Sequence, residues 1–108
     1  MITPTPLVRI DTAVQELRLE QNHRAFTRTL AHIVSAIGAV PDLSPAEFTG
    51  ADLARLRELV EETIASIERR IDSGADQEAA QQPLAGTIYE IRRRMETVET
   101  WITRRRFA

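Results

Sequence analysis

The stretch LEQNHRAFTRTLAHIV, residues 19–34, decides how many helices this chain makes. Leu19, His23, Phe26, Leu30 and Ile33, continued by Ile37, step by four and three, the spacing of one face of a helix. Just upstream, Ile10, Ala13, Val14 and Leu17 form a second stripe. On one straight helix that stripe points nearly the opposite way. Two readings follow. The helix breaks near Asn22, a good N-cap residue, and restarts rotated. Or it runs straight from about Ile10 to Ile37, about 40 Å at 1.5 Å per residue, with one face to its own bundle and the other to a second subunit.

The rest of the chain reads as two more helices. Pro4 and Pro6 mark an extended arm over residues 1–9, and GAVPDLSP (38–45) is a break. SPAE (44–47) has the form of a capping box with proline at the first helical position, and TGAD (49–52) is a second candidate start. Gly74 closes the helix from about Ala51 to Asp72, and Pro83 suits the first turn of one from about Leu84 to Arg105. Leu53, Leu56, Val60, Ile64, Ile67 and Ile71 fall on one side of the former, opposite Arg55, Glu58, Glu62 and Arg69. Leu84, Ile88, Ile91, Met95, Val98 and Ile102 give the latter a heptad seam. No alternating strand pattern competes. The expected fold is all-α: three long helices in an antiparallel bundle over residues 10–108. Three such helices make a thin core, which a second copy would thicken. Homodimerisation through Ile10, Val14 and Leu17 is therefore expected.

Composition narrows the chemistry. With 108 residues, 43% hydrophobic and 28% charged, the chain matches one folded domain and not a disordered segment. A net charge of −2 gives no global pull toward nucleic acid or membrane. No cysteine is present, which removes disulfides, thiolate metal sites and a cysteine nucleophile. All fourteen basic residues are arginine, so there is no Schiff-base amine and no phosphate-loop lysine. The N-terminal MITPTPLVRI has neither a basic leader nor a long apolar run, and a cytoplasmic location is expected. Residues 42–78 balance at −6 and residues 79–108 at +3, so these segments attract each other within or between chains.

Both histidines lie in the opening stretch. Nine residues turn a straight helix by about 900° and separate His23 from His32 by about 13 Å on opposite faces. They do not grip one ion together. Glu20 and His23 form a Glu-x-x-His element, the spacing that bundle di-iron sites use, and are the candidate metal ligands. A symmetric dimer would have to supply the second copy. No cofactor is expected.

LAHIVSAIGA (30–39) resembles the phosphoacceptor helix of histidine phosphotransfer domains, which would make His32 the acceptor. That family places lysine and glycine where this chain has Ser35 and Ala36. Long helices in an entwined dimer, with Arg9, Arg18, Arg24 and Arg28 on the first, are similar to the all-helical chorismate mutases, which also use a lysine there. No serine here has the histidine and acid partners of a nucleophile.

The last helix carries the remaining candidate surface. Arg92–Arg94 and Arg104–Arg106 suit a solvated helix end through its dipole. Glu90, Glu96 and Glu99 interrupt the basic face that nucleic acid requires. Glu90, Arg94, Trp101 and Arg105 share one edge beside the apolar seam. Arg94, Trp101 and Arg105 are the expected partner contacts, since tryptophan and arginine are enriched at binding hot spots. The expected role is a small non-enzymatic bacterial adaptor, chaperone or regulatory subunit working by helix-face contacts. Its rival is a metal- or small-molecule-binding bundle.

Overall fold

The computed structural model describes residues 3–107, with side chains through residue 104. Asn22 answers the question set by the opening stretch. Its side-chain oxygen accepts from the backbone N–H of Arg24 and Ala25 at 2.9 and 3.2 Å, so the helix stops and restarts there. The single long helix is replaced by α1 (Thr5–Leu19) and α2 (His23–Ala39), folded back on each other as a hairpin. The reversal turns both apolar stripes, which would diverge on a straight helix, into the same interior. Ile10, Val14 and Leu17 meet Phe26, Leu30, Ile33 and Ile37 in one buried cluster.

Helix α1 also starts earlier than expected. Leu7 and Val8 donate their N–H groups to the carbonyl of Pro4, so the arm expected over residues 1–9 is helical from Thr5. Pro6 fits because the first-turn N–H groups have no helical acceptor anyway.

The second hairpin is α3 (Gly50–Asp72) and α4 (Glu78–Phe107). A reciprocal capping box opens α3: Asp52 N–H donates to Thr49 Oγ1 at 3.2 Å, and Thr49 N–H to Asp52 Oδ2 at 2.9 Å. The earlier SPAE motif instead stabilises a single 3-10 turn, Pro45–Glu47, where Ser44 N–H donates to the Glu47 carboxylate at 3.2 Å. Gly74, at φ +69°, supplies the left-handed residue after α3. Pro83 lies inside α4 and not at its start, since the helix begins at Glu78. It removes one hydrogen bond near that end.

The described residues thus form a bundle of four α-helices, one more than expected, measuring 47 × 23 × 18 Å. No strand occurs among the described residues. Helix α1 neighbours α2 and α3, and α4 neighbours α2 and α3. Two ion pairs fix α1 parallel to α3: Asp11 with Arg55 at 3.2 Å and Arg18 with Glu62 at 3.0 Å. Residues 40–49 therefore cross the end of the bundle diagonally. Where α2 meets α4, the Arg94 guanidinium lies over Gly38, in the space a Cβ would occupy. The core runs through all four helices, and the stripes read from the sequence supply most of it. Ile71 and Ile88 are only partly buried.

Candidate functional site

Three places on the molecule gather residues able to do more than pack. The first is the bundle end where α1 stops and α4 begins. Arg70, in the last turn of α3, reaches across to Asp76 in the α3–α4 loop. Its Nε and NH2 donate to the two carboxylate oxygens at 2.7 and 2.8 Å. The side chains are 9% and 4% exposed, a near-buried bidentate pair. Arg70 NH1 also donates to the Gln21 carbonyl at 3.1 Å, and its guanidinium stands 4.8 Å from the centre of the Phe26 ring. Gln81 donates to the Asp76 carbonyl at 3.3 Å. One arginine thereby ties the α3–α4 loop to the α1–α2 turn.

His23, the first residue of α2, completes this cluster. Its Nδ1 lies 3.1 Å from Asp76 Oδ1 without hydrogen-bond alignment, a contact that is an ion pair only when the imidazole is protonated. The Arg70 hydrogen bonds hold the Asp76 carboxyl below its ordinary range, against the opposing effect of burial, and His23 pulls it the same way. This is where the structure places the expected metal pair. His23 faces Asp76, and the half-buried Glu20 lines a neighbouring groove with Gln21, Ser66 and Arg69. No group of three metal-ligating side chains stands together among the described residues. The cluster is chemically a clasp: a buried carboxylate neutralised by one arginine.

The second place is α4. Arg94 Nε donates to Glu90 Oε1 one turn earlier on the same edge, at 2.9 Å. Trp101 is partly buried and meets the Phe48 ring edge-on at 5.9 Å. Its indole N–H is buried without an acceptor. Both are engaged by their own chain, while the side chain of Arg105 lies outside the described residues. The free outer side of α4 carries Tyr89, 67% exposed, with Arg93 and Arg104 following at helical spacing.

The third place is the outer side of the α1–α2 hairpin. Ile10, Val14 and Leu17, expected to meet a second copy, are fully buried in the chain's own core. They are closed to a partner because the break at Asn22 brings α2 over them. Leu19, expected in the core stripe, is instead 82% exposed, because α1 ends there. Val8, eleven residues earlier on the same face, is 48% exposed. A groove of about 500 Å³ runs between the helices, with Arg9, Thr12, Glu16, His32 and Ser35 around Ala13 and Ala36. His32 is an exposed groove residue, well separated from the clasp that holds His23.

No protein-family model matches the chain, and no curated protein or solved structure matches it either. No helix among the described residues is long and apolar enough to cross a membrane.

Proposed function

We propose that this chain is a non-enzymatic interaction module, an adaptor, chaperone or regulatory subunit that works through helix faces and associates with a second copy of itself. One observation carries the reading. Helix α1 turns two large apolar residues, Val8 and Leu19, outward, and among the described residues both stay largely exposed. Apolar side chains three turns apart on one face gain about 25 cal/mol for each Å² that a partner removes from water. A different protein would meet the outer side of α4 at Tyr89 and Arg93, since Arg94 and Trp101 already serve internal contacts.

Native mass spectrometry of the protein, prepared without added metal, tests this. A dimer with the mass of two bare polypeptides is expected. A monomer at tens of micromolar, or an added mass equal to metal ions or a small ligand, overturns it. The second outcome would return attention to Glu20 and His23.

A further inference from the structure

We propose that the α1–α2 groove receives a second copy of this chain, with the two α1 helices antiparallel about a two-fold axis near Thr12 and Ala13. Arg9 of each copy then meets Glu16 of the partner subunit. The proposal rests on the self-association reading above and specifies its geometry.

The warrant is the arrangement of charge on the two flanks of α1. On the flank facing α3, Asp11 and Arg18 stand seven residues apart. They pair with Arg55 and Glu62, also seven apart. A minus-then-plus doublet is met by a plus-then-minus doublet running parallel. The opposite flank carries Arg9 and Glu16, again seven apart and so two turns along the same side of the helix. Both are exposed on the lips of the groove, and among the described residues neither has an ion-pair partner.

A doublet that reads plus then minus is complementary to itself once reversed. An antiparallel copy of α1 presents Glu16 to Arg9 and Arg9 to Glu16, so one two-fold axis satisfies all four charges. A parallel copy would oppose like charges at both positions, and an acidic or basic peptide would satisfy one and repel the other. The groove suits this approach. Its floor at Ala13 and Ala36 has little side chain to obstruct a neighbouring helix, and Val8 at its edge is half-exposed and gains cover.

Charge exchange gives the test. Sedimentation velocity is run on the wild-type chain, on R9E, on E16R, on their equimolar mixture and on the double variant R9E/E16R. Circular dichroism monitors folding. Wild type is expected to be dimeric, and each single variant at least ten-fold weaker in self-association. The mixture is expected to form a one-to-one heterodimer, and the double variant to recover the homodimer. If a single variant fails to fold, the double variant decides: a dimer supports the pairing and a monomer overturns it. A wild-type dimer whose single variants dimerise equally well overturns this geometry but leaves self-association standing. A wild-type monomer at tens of micromolar overturns both.

Discussion

The two ends of the bundle are closed by opposite chemistry. At one end Arg70 holds Asp76, draws in the Gln21 carbonyl and covers the Phe26 ring, with His23 alongside. At the other, the residues of the diagonal crossing contribute Val40 and Phe48 to the core, and Trp101 of α4 lies against the Phe48 ring. The charged end depends on every member being present, because a buried carboxylate without its cation retains its desolvation penalty. The aromatic end depends on volume and area, which fail gradually. One closure is conditional and pH-sensitive. The other is additive and indifferent to pH.

Five substitutions, four alone and one as a second change, test the contrast. Arg70→Met should be the most damaging, about 4 kcal/mol by urea unfolding at neutral pH, because Asp76 stays buried and unpaired. Asp76→Leu added to it should recover part of the loss. The pH dependence follows from the depressed Asp76 carboxyl. A carboxylate held below its unfolded value of about 3.9 contributes stability above that pH, and loses it as pH falls through the folded value. The gap between wild type and Arg70→Met should therefore narrow below about pH 4. A gap that is constant with pH would show that the pair is not the source of the stability.

Phe48→Ala should cost about 3 kcal/mol through lost burial and a residual cavity. That loss should be equal at pH 7 and pH 4, and a pH-dependent loss would break the comparison. Asn22→Ala should cost about 1 kcal/mol, since it removes the acceptor for two orphan N–H groups at the α2 start. Trp101→Phe should be smallest, within about 1 kcal/mol of wild type in thermal unfolding. It trims the ring but also removes a buried N–H that has no acceptor. A large loss there would mean that the indole edge packs more tightly than its ring contact with Phe48 indicates.

Legibility in the sequence followed the same division. The stripes of α3 and α4 were readable because each is a local repeat, and Leu53, Leu56, Val60, Ile64, Ile67, Ile91, Met95, Val98 and Ile102 are all buried. Asn22 was visible as a cap, but the hairpin it creates was not. A cap shows where a helix stops, not the direction the chain takes next. That gap moved Ile10, Val14 and Leu17 from an expected interface into the core. Arg70 and Asp76 carried no local signal at all. Each looked like an ordinary charged residue near a helix end, and their partnership exists only because the α3–α4 loop folds back beside the α1–α2 turn. Phe48 was hidden in the same way, just past the break at residues 38–45, where its ring meets Trp101 from far along the chain.

The diagonal crossing has a consequence for how the chain can be divided. Because it separates two sequence-contiguous hairpins, a single cut between residues 40 and 49 leaves α1–α2 on one fragment and α3–α4 on the other. Each fragment would keep its own turn and caps but expose its side of the shared interior, and so small a hairpin is expected not to fold by itself. Mixed together, the fragments should regain the Asp11–Arg55 and Arg18–Glu62 pairs and the apolar seam that join the hairpins in the intact chain. Helicity that appears only on mixing would report the meeting of the two halves, and helicity already present in the separate fragments would show that each hairpin folds alone.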